Sequence, residues 1–125
     1  YNRKEAKDHG EGGTVVGAEL KGRVLIIDDV ISAGTSVRES VEIIRAHGAT
    51  PAGVLIALDR MERGGTAAAP TDRSAVQEVQ DLFGIPVIAI ANLAGLMQFL
   101  ESSQDPELAR YQSAVRDYRQ RWGVA

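Results

Sequence analysis

Residues 23–36 read RVLIIDDVISAGTS, and this stretch decides the fold. Val24, Leu25, Ile26 and Ile27 make an unbroken apolar run, the pattern of a parallel strand covered on both faces rather than an alternating, half-exposed one. Asp28 and Asp29 follow at the carboxyl end of that strand, where open α/β sheets bind ligands, and a helical period begins near Val37. A phosphate is stabilised by unpaired N–H groups and the positive end of a helix dipole. Gly34 permits close approach of the backbone, and Thr35 and Ser36 add hydroxyl donors. The two carboxylates, acceptors only when ionised, suit sugar hydroxyls or a hydrated magnesium ion instead. The segment reads as a cradle for a ribose phosphate.

Working outward, Val37, Val41, Ile43 and Ile44 fall near helical spacing, and His47-Gly48 supplies a stop. Val54 to Leu58 reads as a second buried strand whose polar residues, Asp59 and Arg60, again lie at its carboxyl end. Met61 to Thr71, rich in glycine, alanine and threonine, reads as a loop over that same edge. Ser74 to Phe83 is amphipathic through Val76, Val79, Leu82 and Phe83, with Gly84 as its stop. Pro86 to Ile90 makes a third strand, Asn92 caps a helix from Leu93 to about Glu101, and Asp105-Pro106-Glu107 opens a last helix to about Trp122. Upstream, residues 1–13 are charged and glycine-rich without apolar period, a loop, and Thr14 to Gly17 reads as a short returning strand. The expected order is β-α-β-α-β-α-α with three parallel strands.

Composition bounds the partners. A chain of 125 residues, 44% hydrophobic and 25% charged, suits one modest core and one domain. The net charge of −3 argues against a nucleic-acid-binding surface, since no lysine or arginine cluster outweighs its acidic neighbours. Zero cysteines exclude disulfides and thiolate metal sites. No run approaches the roughly 20 apolar residues of a membrane helix, and no signal peptide is visible. The expected setting is soluble and cytoplasmic.

Four apolar residues, two acids and a small Gly/Thr/Ser turn resemble the phosphoribosyl pyrophosphate (PRPP) motif of the type I phosphoribosyltransferases. The flanks narrow the resemblance. NRKEAKDHGEGG, from Asn2 to Gly13, is similar to the flexible catalytic loop of orotate phosphoribosyltransferases, and GVLIALDRMERG, from Gly53 to Gly64, to their next strand and orotate-contacting arginine. The three segments, in this order and spacing, resemble the bacterial type of that family over essentially all 125 residues. The chain starts at Tyr1, within what the family uses as a hairpin loop, so the resemblance implies a C-terminal portion. A phosphoribosyltransferase domain is expected over residues 1–125, incomplete at its N-terminus, with the catalytic loop at 1–13 and the PRPP motif at 24–36.

What the resemblance implies is specific. The fold is α/β, the type I phosphoribosyltransferase fold, a parallel sheet flanked by helices. The reaction is orotate plus PRPP giving orotidine 5′-monophosphate and pyrophosphate, in pyrimidine nucleotide synthesis. Lys7, His9, Asp28 and Asp29 are the implied catalytic residues. PRPP would be bound by Arg3, Lys4, Lys7 and His9 in the loop, and by Asp28, Asp29, Val30, Ile31, Ser32, Ala33, Gly34, Thr35 and Ser36 in the motif. Ser32, where relatives commonly have threonine, and Arg60 would orient orotate. Magnesium is the implied cofactor, held mainly by PRPP and water with no direct protein ligand. A homodimer with shared active sites is implied, with neither nucleic acid nor membrane as partner.

Plainer readings stand beside these. An acid pair after an apolar strand also occurs in phosphoacceptor receiver domains, which hold magnesium there but have no use for the SAGTS turn. Arg3, Lys4, Lys7 and His9 are interleaved with Glu5, Asp8 and Glu11, as in a solvated tail, although Gly10, Gly12 and Gly13 supply hinges for a lid. Arg60 could merely pair with Asp59 or Glu62, while its planar fork suits a carboxylate such as that of orotate. His47 reads as a helix C-terminal residue favoured by the dipole, and Arg110, Arg116, Arg119 and Arg121 as a solvated face. A nucleotide-binding regulator on the same fold, or a transferase for another base, remain the alternative functions.

Overall fold

The structure is a computed structural model and describes residues 15–124. Its elements run β1 (Arg23–Asp28), α1 (Thr35–Ala46), β2 (Thr50–Asp59), β3 (Arg63–Gly65), β4 (Pro70–Ser74), α2 (Ala75–Phe83), β5 (Val87–Asn92), α3 (Leu93–Ser102), α4 (Pro106–Ala109) and α5 (Gln112–Trp122). The three long strands pair in parallel in the order β1-β2-β5, with Ile26 beside Val54 and Val54 beside Val87. Parallel pairing places Asp28, Asp59 and Asn92 at one sheet edge. That edge carries the polar residues.

The core lies on one face of the sheet. Ile26, Val54 and Ile56 meet Val37, Val41 and Ile44 of α1 and Ala75 and Val79 of α2, in one continuous buried cluster. Helical spacing aligns the apolar residues of α1 on one stripe, which is the stripe buried. The expectation that β1 is covered on both faces fails. Leu25 and Ile27 are 52% and 73% exposed, and Ile88 and Ile90 of β5 are 61% and 77% exposed. Both helices of the core sit on the other face, so among the described residues an apolar run forms alternating buried and exposed rows.

Two further expectations are corrected. Residues 61–71 are not simply a loop, because β3 and β4 form an antiparallel hairpin. Its tight connection is closed by reciprocal backbone bonds between Thr66 and Ala69, at 3.2 and 3.1 Å. Glycine, alanine and proline carry little strand propensity, and tertiary anchoring supplies the rest. Glu78 of α2 accepts from the Thr71 hydroxyl and from the Gly65 N–H at 3.3 Å. A side chain at Gly64 would collide with that carboxylate. The last helix, too, is broken. The Tyr111 N–H turns to Leu108 O at 3.1 Å, a tighter turn, and the helix restarts with Val115 N–H to Tyr111 O at 3.0 Å.

At the start of the described chain, Val15 makes an isolated β-bridge and residues 16–17 are not strand. The expected strand from Thr14 to Gly17 is thus reduced to one residue, Thr14 itself lying outside the described residues. His47 behaves as expected, its ring Nδ1 lying 2.8 Å from Ile43 O at the end of α1. Arg110 and Arg116 pair with Glu107 and Glu101 on the surface. No described helix is long and apolar enough to cross a membrane.

Candidate functional site

The strand end of β1 and the first turn of α1 enclose a cavity of about 390 Å³ lined by residues 28–37. Three anchors hold this loop. Ile31 is buried in the core cluster, so its side chain fixes the loop and only its backbone can meet a ligand. The Asp29 carbonyl accepts from the N–H groups of Ala57 and Leu58 at 2.9 and 3.1 Å, which ties the loop to β2. Gly34 is in the left-handed region at φ 71, and a Cβ there would lie 2.9 Å from Val79 Cγ2. Both its conformation and α2 demand glycine.

The acids are oriented by their own surroundings. Asp28 accepts the Asp29 N–H at 2.9 Å and the Ser36 hydroxyl at 2.5 Å. Asp29 accepts the Val30 N–H at 2.7 Å. That backbone bond is the main reason the Asp29 carboxyl is held below the ordinary aspartate range. The Asp28 side chain and the Asp29 N–H add to it against a small desolvation, and the Arg60 charge contributes least. Asp29 is thus a carboxylate at neutral pH.

The helix beyond the acids is left open. Ser74, Asn92 and Asp105 each accept a backbone N–H at the starts of α2, α3 and α4. At the start of α1, Gly34 offers no side-chain cap, and no acid lies in the first turn. Its first turn lies beside the cavity without a capping side chain, next to the exposed hydroxyl residues Thr35 and Ser36, the latter donating to Asp28.

Arg60 and Ser32, 28 residues apart, are brought together, with Nη2 donating to Ser32 Oγ at 2.9 Å. The same Nη2 lies 3.3 Å from Glu62 Oε2. Asp59 takes no part in that pair; its carboxylate accepts the Met61 N–H at 2.8 Å. The plainer reading of Arg60 is met by Glu62, and the orotate reading keeps its hydroxyl neighbour. Arg3, Lys4, Lys7 and His9, with the hinge glycines Gly10, Gly12 and Gly13, lie outside the described residues.

A second cavity, of about 730 Å³, opens beside Ser32 and Glu62 and is walled by the hairpin and by Tyr118, Arg121 and Trp122 of α5. Sequence reasoning missed this wall. Arg121, read as part of a solvated face, lies with its guanidinium carbon 4.9 Å from the Trp122 ring centre. Nothing in a local pattern links α5 to residue 32. For metals, no group of three or more His, Cys, Asp or Glu side chains gathers among the described residues. One Asp29 carboxylate oxygen accepts the Val30 bond, so the donor set is two acids. That suits magnesium keeping its waters and substrate phosphates, not a protein cage.

No protein-family model matches the chain. Curated proteins do. It is 67% identical over 124 residues to an orotate phosphoribosyltransferase of Polynucleobacter necessarius, the match covering 99% of this chain and 56% of that protein. It is 68% identical over 124 residues to an orotate phosphoribosyltransferase of Cupriavidus necator, covering 99% of this chain and 55% of the relative. Among solved structures, the orotate phosphoribosyltransferase of Francisella tularensis superposes with a TM-score of 0.69 at 31% identity, over 89% of this chain and 52% of that one. The chain spans about half the length of the relatives it matches.

Proposed function

The chain belongs to the orotate phosphoribosyltransferase family and has its type I phosphoribosyltransferase fold, and from that premise we propose that it carries the PRPP and orotate contacts of such an enzyme. The reaction is transfer of the 5-phosphoribosyl group from PRPP to orotate, giving orotidine 5′-monophosphate and pyrophosphate. The observation that carries the reading is the loop from Asp28 to Ser36. It sets two oriented carboxylates beside the start of α1, whose first turn has neither a capping side chain nor an acid.

The roles follow from chemistry. Asp28 and Asp29 hold the ribose hydroxyls and stabilise the cationic sugar of an oxocarbenium-like transition state. The backbone of residues 30–34 and the hydroxyls of Thr35 and Ser36 grip the 5′-phosphate. Arg60 and Ser32 orient orotate through its carboxylate, and catalysis is chiefly alignment. Arg3, Lys4, Lys7 and His9 neutralise the departing pyrophosphate and exclude water, a role that rests on the family resemblance alone. Magnesium, carried with PRPP and its waters, supplies charge neutralisation of the diphosphate when bound. A homodimer with shared sites and a cytoplasmic setting complete the proposal.

The test uses the full-length protein with labelled orotate and PRPP. Orotidine 5′-monophosphate should form, and Arg60→Ala should weaken orotate binding by about 2 to 5 kcal/mol, the cost of truncating a desolvated charged pair, while PRPP affinity stays nearly constant in calorimetry. Equal loss for both ligands would move Arg60 out of the base site. Preference for a different base, or nucleotide binding without product, would favour the alternatives.

A further inference from the structure

The backbone beneath the side chain that holds Arg60 is fixed from three directions. Met61 lies in the left-handed region at φ 52, a conformation rare outside glycine. It is kept there by its N–H donating to Asp59 Oδ1 at 2.8 Å and by its carbonyl accepting the Val124 N–H at 2.9 Å. One residue on, the Glu62 carbonyl accepts the Ala75 N–H at 3.0 Å, and Glu62 bridges Gly123 in antiparallel fashion. Arg63 Nε donates to Gly123 O at 3.1 Å. The backbone carrying Glu62 is therefore clamped between the start of α2 and residues 123–124.

Onto this clamped backbone is built the ion pair. The Glu62 side chain is 20% exposed and that of Arg60 33%. Both recorded partners of the guanidinium, Ser32 Oγ and Glu62 Oε2, meet it through Nη2, and Nε is buried with no hydrogen-bond partner. A guanidinium has five N–H donors in a planar fork. One carboxylate oxygen on one nitrogen orients that fork without consuming it, and a free donor in a partly desolvated site favours an incoming anion.

We infer that Glu62 is a positioning residue: it holds Arg60 in the orientation that receives the carboxylate of the base, and Asp59 and the 123–124 clamp hold Glu62. The inference rests on the reading of Arg60 as the orotate anchor. A flexible arginine would otherwise lose its rotamer freedom only on binding, at the expense of affinity. Competition, in which Glu62 occupies the fork against the substrate, predicts the opposite sign.

Steady-state kinetics on the full-length protein separate these. Glu62→Ala should raise KM for orotate roughly fivefold, the upper range for a partly exposed ion pair, with kcat and KM for PRPP within about twofold. Glu62→Gln, which keeps an oxygen for the Nη2 contact, should recover part of the loss. In an Arg60→Ala background, Glu62→Ala should add almost nothing, since what it positions is gone. Additive losses in that background, tighter orotate binding by Glu62→Ala, or equal changes in both KM values would each overturn the positioning role. If Arg60→Ala alone leaves KM for orotate unchanged, the base-site reading falls first, and this inference with it.

Discussion

Asp29 shows how much a single side chain owes to its neighbours. It is exposed, yet the Val30 N–H holds its carboxyl below the ordinary aspartate range, so its charge serves a ligand rather than the core. Asp29→Asn should cut kcat/KM about a hundredfold, the scale of losing one preorganised electrostatic partner, while the melting point barely moves, as for surface substitutions. Labelled-orotate turnover and thermal melts check both. A melting point strongly lowered with turnover intact would make the acid structural. The depressed pKa also fixes a sign. The stabilisation it brings is fully present above the unfolded value of about 3.9 and is lost as pH falls through the lower folded value. Carbon-detected titration of the Asp29 carboxyl should find a midpoint below 3.9, and one above it would contradict the Val30 bond. The acid pair was plain in the residue string because adjacency is a sequence property. That Arg60 and Ser32 would serve one ligand was expected from the family resemblance, whereas their direct bond and the sharing of Nη2 with Glu62 came only with the fold.

At the scale of elements, the loop between β1 and α1 is a rigid device. Ile31 anchors it, Asp29 O ties it to β2, and Gly34 fits under Val79. Gly34→Ala must place a Cβ at φ 71, costing about 1–2 kcal/mol, and also displace Val79, 2.9 Å away. The expected outcome is a lower denaturant midpoint together with weaker PRPP binding, because the same residue opens α1. Unchanged PRPP affinity in calorimetry would separate the helix start from the phosphate. Strand and helix positions of the core were legible from periodicity and caps: Ser74, Asn92, Gly84 and Asp105 all terminate or begin helices where expected. The hairpin of β3 and β4 was not, since residues such as Gly64, Gly65 and Pro70 carry no strand signal. Its pairing depends on Glu78, which lies in a different element.

For the molecule as a whole, the outstanding feature is a sheet face that none of the described residues covers. Ile27, Leu55 and Ile88 share one rung, and Leu25 and Ile90 extend the apolar surface beside it. A contiguous apolar face of this kind is unfavourable in water. Prepared as these 125 residues alone, the chain should bind an apolar fluorescent dye and self-associate. Ile27→Lys with Ile90→Lys should reduce both while barely lowering the melting point, because neither residue belongs to the core cluster. A dye-free monomer in light scattering would refute that expectation. An apolar run such as Val24 to Ile27 reads identically whether one face or both are covered, because periodicity reports what a strand can bury and not what is present to bury it. The local order of residues was sufficient for the positions of the three strands, the acid pair at the carboxyl end of β1 and the glycine turn, since each is set by neighbours within about ten positions along the chain. Tertiary structure alone decided the direct bond from Arg60 to Ser32, the clamp of residues 123–124 on Glu62, and the α5 wall beside Ser32. Those contacts join residues tens of positions apart, and their geometry exists only once the sheet has set its register.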